Sequence, residues 1–231
     1  MTSKERLIVA LDVPGVAQAE ALIERLRGHV GIFKVGSQLF TSAGPDFTRA
    51  LTQQGFAVFL DLKYHDIPNT VASAVAAAAS LGVSLLDVHA LGGLEMMRAA
   101  VAARQASRMK LLAITVLTSH DEAALTQLGL SGGITSCVRR LALLARDAGL
   151  DGVVASPHEV ELIREACGRD FLIVTPGIRP VGAKLGDQAR AATPAAALRS
   201  GASYLVVGRP ITEAADPAEA ARAILAEMES A

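Results

Sequence analysis

The apolar positions of this chain fall into blocks of two kinds, and the kinds alternate from one end to the other. Blocks of the first kind are short continuous runs at 6–12, 31–37, 57–63, 84–90, 110–117, 152–156, 170–175 and 203–209. Such runs, bounded by Gly, Pro or charged residues, read as strands buried on both faces. Blocks of the second kind repeat their apolar residues at the helical period. They predict helices over 16–26, 45–54, 70–81, 93–108, 121–148, 157–167, 193–200 and 217–229. The third of these is expected to be capped by Asn69 or Thr70, and the fifth carries a glycine-rich break at 131–133. Strands apolar on both faces, each followed by a helix, imply a parallel sheet covered by helices. Eight such units predict one closed α/β barrel, a (β/α)8 TIM barrel spanning residues 1–231 as a single domain. The competing architecture is a doubly wound open sheet. The count of eight favours the barrel, and no Gly-x-Gly-x-x-Gly follows the first strand.

Composition narrows the function classes. Apolar residues make up 51% of the chain and charged residues 19%, so a sizeable core can form. Aromatics are only 3%, which leaves Ala, Leu, Val and Ile to build that core. A net charge of −1 gives no basic surface for nucleic acid and no polybasic face for a membrane. The longest apolar stretch, 71–83, is interrupted by Ser73, Ser80 and Gly82 and is too short to span a bilayer. The polar first six residues do not read as a signal peptide. Cys137 and Cys167 lack metal-type spacing, which fits a reducing compartment. A soluble, cytoplasmic protein is the expectation.

In a barrel of this kind functional residues gather at the C-terminal strand ends. Those ends hold Asp12, Lys34, Asp61 with Lys63, Asp87 with His89, Thr118 with Ser119, Ser156, Thr175, and Gly208 with Arg209. The densest cluster is in the run from Ala57 to Thr70, where Asp61, Lys63 and Asp66 fall within six positions. Strand side chains alternate faces, so Asp61 and Lys63 point the same way, roughly 6–7 Å apart along the chain. Charges of alternating sign at the end of a buried strand must neutralise one another. A structural ion-pair network satisfies that demand as well as an active site does. The ring of polar residues around one barrel mouth, above apolar strand interiors, favours the catalytic reading.

The last two strands supply a second signal. Loops there often form a phosphate site from backbone N–H groups and a helix N-terminus. Here they carry Pro176-Gly-Ile-Arg179, a glycine-containing loop through Gln188, and Gly208-Arg209. Arginine matches phosphate geometry with paired donors. The loop from Val181 to Arg190 has the length and glycine content of a lid. Three other features read as structural. His65 and His89 have no further His or Cys at ligand spacing. Cys137 shares a helical face with Val138, Leu141 and Leu144 and reads as core. Asp87 reads as a local hydrogen-bonding group at the mouth, outside the site.

The run Asp61-Leu-Lys-Tyr-His-Asp-Ile-Pro-Asn-Thr70 resembles the signature of the orotidine 5′-phosphate decarboxylase family. Further blocks agree in order along the whole chain: Val-Ala-Leu-Asp12, Phe-Lys-Val-Gly36, Val-Leu-Thr-Ser119, Thr-Pro-Gly-Ile-Arg179, Gly-Asp-Gln188 and Val-Val-Gly-Arg209. The short Asp-x-Lys-x-x-Asp pattern alone is shared with related sugar-phosphate decarboxylases. The resemblance implies conversion of orotidine monophosphate to uridine monophosphate and carbon dioxide, the last step of de novo pyrimidine synthesis, without metal or organic cofactor. It implies that Lys63 is the proton donor, in a charged array with Asp61, Asp66 and Lys34, and that Asp12 and Lys34 hold the ribose hydroxyls. Thr118 and Ser119 would lie around the base. Arg179, Gln188, Gly208 and Arg209 would hold the phosphate, with Gln188 also bridging toward the base. Asp66, Ile67 and Thr70 would enter the site of a partner subunit, so a homodimer with shared active sites is implied.

Two rivals remain at this stage. One is a metal-dependent enzyme acting on a keto-sugar phosphate, whose relatives carry a carboxylate where Lys34 stands; a lysine there repels a cation. The other is a barrel that only binds nucleotides or sugar phosphates and has no need of Lys63.

Overall fold

Side chains alternate across a strand, and in this protein the alternation sorts each strand between two cores. The computed structural model describes residues 1–104, 106–180 and 191–231. Its strands are β1 (Leu7–Ala10), β2 (Ile32–Gly36), β3 (Ala57–Tyr64), β4 (Leu85–His89), β5 (Lys110–Ile114), β6 (Gly152–Val154), β7 (Leu172–Thr175) and β8 (Tyr204–Val207). All pair in parallel in sequence order, and β8 returns to β1 to close the barrel. One set of side chains fills the barrel interior: Ile8, Ala10, Ile32, Phe59, Leu85, Leu112, Val174 and Val206. The alternate set, including Leu7, Val9, Phe33, Val35, Val58 and Leu60, packs outward with the helices. The barrel expectation holds, and the open sheet is excluded.

The inward set also fixes where the charges sit. Ala10 lies opposite Lys34, Lys34 opposite Phe59, and Gly36 opposite Asp61. Lys34 follows Ile32 inward by two positions, and Asp61 follows Phe59 in the same way. The lower interior is therefore apolar, and the layer nearest the C-terminal mouth is charged.

The helices are α1 (Ser3–Arg6), α2 (Val16–Leu26), α3 (Ser37–Gln53), α4 (Pro68–Ala79), α5 (Gly93–Ala103), α6 (Glu122–Gln127), α7 (Gly133–Asp147), α8 (Val160–Cys167), α9 (Pro194–Arg199), α10 (Arg209–Thr212) and α11 (Pro217–Glu229). Several differ from the sequence expectation. α1 was read as a polar lead; a capping box between Thr2 and Glu5 nucleates it. α3 starts directly after β2 and bends at Gly44, whose φ of 71° lets Pro45 open a second segment. α4 begins at Pro68 with Ile67 as its cap, not at Asn69 or Thr70, because proline's fixed φ and missing N–H suit the first helical position. α5 stops before Arg104, short of Arg108. The 121–148 segment is two helices, α6 and α7, divided at Gly132 and Gly133, both with positive φ. A 3₁₀ turn, Pro157–Glu159, precedes α8. Arg209 opens α10 rather than ending a strand. Among the described residues, no helix is long and apolar enough to cross a membrane.

Candidate active site

Four side chains of alternating charge line one wall of the barrel mouth. Asp12 lies just beyond β1, Lys34 on β2, and Asp61 and Lys63 on β3. Lys34 is 8% exposed. It donates to Asp12 Oδ1 at 3.0 Å and pairs with Asp61 Oδ2 at 3.1 Å. Asp61 is equally buried, and its other oxygen, Oδ1, takes the Lys63 ammonium. The order Asp12–Lys34–Asp61–Lys63 gives every buried charge an opposite neighbour, as burial requires. Gly36 leaves the space this needs: a Cβ there would stand 2.9 Å from Lys34 Nζ and 3.2 Å from Asp12 Oδ1. Burial alone would raise the Asp61 carboxyl, but Lys34, Lys63 and a hydrogen bond with Asp87 outweigh it and hold it down at about 2. Burial likewise pulls Lys34 down, and Asp61 and Asp12 more than restore it, so its pKa is raised. Asp61 and Lys34 are thus ionised at neutral pH.

The backbone under Lys63 is unusual. Its φ is +50°, and among the described residues it is the only non-glycine in that region. The pairing of β3 with β4 shifts register between Leu60 and Tyr64. The Lys63 N–H donates to Asp87 Oδ1 on β4 at 2.8 Å. Asp87 is fully buried, and burial first, then Asp61, raises its carboxyl well above the usual range. The local hydrogen bond expected of Asp87 is present, and its partner is the backbone of the central lysine. His65 and His89 stack with ring centroids 5.3 Å apart. His89 Nδ1 accepts the Leu91 N–H at 3.3 Å, and burial, His65 and Lys63 push its pKa down to about 4. His89 is therefore neutral at physiological pH. Among the described residues, no group of three or more His, Cys, Asp or Glu is placed to hold a metal ion.

The opposite wall comes from the ends of β7 and β8. Gly177 turns the chain with a φ of 77°, and Arg179 lies against it, 9% exposed. The Arg179 N–H donates to the Ala192 carbonyl at 2.9 Å, and its Nη1 donates to the Ile178 carbonyl at 2.9 Å. Burial and the nearby Arg209 both lower the Arg179 pKa, so two guanidinium groups converge on one region. Between the walls is a cavity of about 490 Å³. Asp12, Lys34, Asp61, Lys63, Thr118, Arg179, Gly208 and Arg209 all line it, above an apolar floor that includes Ala10, Phe59, Ile114 and Val206.

Other predicted site residues stand apart. Asp66, Ile67, Thr70 and Ser119 are exposed and do not line the cavity. Asp66 Oδ1 accepts the Ile67 N–H at 2.6 Å, and Ile67 is 66% exposed. Gln188 and the expected lid, residues 181–190, lie outside the described residues. Sequence reasoning passed over Gly36 and left Asp87 aside. An acid inside Leu85-Leu-Asp-Val-His89 was a signal for the second; for Gly36 there was none.

The chain is similar to known proteins over nearly its whole length. Residues 5–224 match the model of the family described as orotidine 5′-phosphate decarboxylase / HUMPS. The orotidine 5′-phosphate decarboxylase of Moorella thermoacetica is 55% identical over 237 residues, covering 99% of this chain and 94% of that one. That of Halorhodospira halophila is 57% identical over 228 residues, covering 98% and 97%. The crystal structure of orotidine 5′-phosphate decarboxylase from Lactobacillus acidophilus matches with a TM-score of 0.85 at 44% identity, covering 96% of this chain and 98% of that one. Matches of this extent take in every strand of the barrel and both walls of its mouth, and on them the chain belongs to the orotidine 5′-phosphate decarboxylase / HUMPS family.

Proposed function

We propose that this protein decarboxylates orotidine 5′-phosphate to uridine 5′-phosphate and carbon dioxide, closing de novo pyrimidine synthesis, with Lys63 as proton donor. The observation that carries this reading is the Asp12–Lys34–Asp61–Lys63 array facing two arginines across one cavity. A substrate whose phosphate rests between Arg179 and Arg209 would, by family resemblance, offer its ribose hydroxyls to Asp12 and Lys34, which line the same cavity. Its pyrimidine then lies toward Lys63 and Thr118. When the ring–carboxylate bond breaks, its electron pair stays on the ring carbon. A fixed ammonium beside that carbon stabilises the growing negative charge and then supplies the proton. Asp61 pairs with the Lys63 ammonium and aims it. The phosphate is remote from the reacting bond, so its contacts orient the substrate and show in turnover as well as in affinity.

No metal or organic cofactor is called for. Lys34 supports this against the keto-sugar phosphate alternative, since its ammonium stands between Asp12 and Asp61, where a divalent cation would need those carboxylates. Asp66, Ile67 and Thr70 cluster at the start of α4, exposed in one subunit. An exposed isoleucine beside an acid fits a segment that completes a neighbour's site, and we assign these residues to the partner in a homodimer. Gln188 and Ser119 are assigned, by family resemblance, to the phosphate–base bridge and the base. The test is loss of orotidine monophosphate absorbance on adding the protein, with and without a chelator. Turnover that a chelator does not diminish is expected. No turnover, or turnover lost with the chelator, refutes the proposal.

A further inference from the structure

Asp87 belongs to the charged cluster yet does not line the cavity. It sits inside β4, between Leu86 and Val88, with no solvent exposure. A carboxyl group sealed there is costly unless both oxygens are used. Oδ1 accepts the Lys63 N–H at 2.8 Å. Oδ2 receives no hydrogen bond from any described residue, and the Asp87 carboxyl lies within hydrogen-bonding contact of the Asp61 carboxyl. An oxygen without a donor beside an acceptor is satisfied when it carries a proton and donates it.

The first contact explains the backbone of Lys63. A buried N–H in a parallel strand ordinarily finds a carbonyl on the neighbouring strand. Here the ladder shifts between Leu60 and Tyr64, and the Asp87 side chain takes the carbonyl's place. The left-handed conformation of Lys63 costs energy for a residue with a Cβ, and surrounding structure must hold it. It redirects the lysine side chain at the strand end, where its ammonium meets Asp61.

We propose that Asp87 is a positioning residue for the proton transfer, clamping the Lys63 backbone through Oδ1 and the Asp61 carboxylate through Oδ2. The inference rests on the reading of Lys63 as the proton donor. Two facing carboxyl groups in a buried site do not both ionise. Asp61 has two lysines to keep it charged, so the proton resides on Asp87 and stays there throughout the reaction. Asp87 touches neither substrate nor reacting atoms; it fixes where Lys63 stands.

Two variants test this. Asp87→Asn keeps a carbonyl for the Lys63 N–H and an NH2 for Asp61, reproducing the neutral acid. Asp87→Ala removes both contacts. A displaced donor is expected to lower kcat of the alanine variant on the order of 100-fold. Its KM for orotidine monophosphate and its affinity for uridine monophosphate should stay within about threefold, since the phosphate wall is untouched. The asparagine variant should recover kcat to at least about tenfold above alanine. An unchanged kcat in alanine, a loss confined to KM, or a loss in asparagine equal to that in alanine would each overturn the proposal. Should the alanine variant not fold, asparagine alone decides: a fall in kcat of about 100-fold or more overturns it. Lys63→Ala, run alongside, separates the two readings. If that variant turns over normally, the assignment of Lys63 has failed and the positioning role falls with it, whatever the Asp87 variants do.

Discussion

Replacing Asp87 by asparagine should make the protein more stable, and increasingly so as the pH rises. Asp87 is fully buried against Asp61, with Lys63 and Tyr64 as its other ionisable neighbours. Burial and Asp61 raise its pKa above the ordinary carboxylate value of 3.8, and Lys63 only partly offsets them. Below about pH 4 the group is protonated in both folded and unfolded chains and makes no difference. Above that the unfolded chain ionises while the folded one keeps its proton. Wild-type stability then falls by about 1.4 kcal/mol for each pH unit until Asp87 ionises in the fold. Asparagine does not titrate and escapes this loss while keeping both hydrogen bonds. For a chain of this size, ~1 kcal/mol shifts Tm by about 2–4 °C, so the gap should widen by about 3–6 °C per pH unit. Thermal unfolding of both proteins, followed by circular dichroism at pH 5, 6 and 7 in one salt concentration, measures it. A gap that stays flat, or that moves in favour of wild type as pH rises, would show Asp87 ionised in the fold and refute the reasoning.

Other perturbations separate the parts of the site. Arg209→Ala should lower kcat/KM for orotidine monophosphate about 10–100-fold, the worth of a hydrogen bond between charged groups, and leave the slow reaction of the phosphate-free nucleoside nearly unchanged; equal losses on both substrates would argue against a phosphate contact. Mixing inactive Lys63→Ala and Asp66→Ala chains under conditions of subunit exchange should restore activity to about a quarter of wild type, because half the dimers are hybrids with one intact site. Demonstrated exchange without activity would rule out the shared site. Gly36→Ala adds a Cβ 2.9 Å from Lys34 Nζ, which must shift; a fall in kcat/KM of about tenfold with an unchanged Tm is expected, and wild-type activity would show that Lys34 tolerates displacement.

Much of this site was legible in the sequence because strand side chains repeat every second residue. Ile8, Ala10 and Asp12, then Ile32 and Lys34, then Phe59 and Asp61, each read as apolar residues giving way to a charge on one face. The structure places those charges side by side at the barrel mouth. The opposite wall was legible from Gly177, Arg179, Gly208 and Arg209 at the last two strand ends, and all four line the cavity. What escaped the sequence depends on contacts across the barrel. Asp87 gains its partner only when β4 lies beside β3 with a shifted register, and nothing in Leu-Lys-Tyr signals a left-handed lysine. Local end effects were missed as well. Thr2 and Glu5 wind the first residues into α1, and Pro68 starts α4 earlier than the polar caps that follow it.

The claim on which everything else depends is that the Lys63 ammonium donates the proton. Turnover of orotidine monophosphate by Lys63→Ala, paired with its affinity for uridine monophosphate, tests it most directly. Loss of a positioned acid that also stabilises the carbanion should lower kcat at least about 10³-fold, while product affinity, set by the phosphate and ribose contacts, changes little. A Lys63→Ala protein that decarboxylates at a near-normal rate would contradict the account.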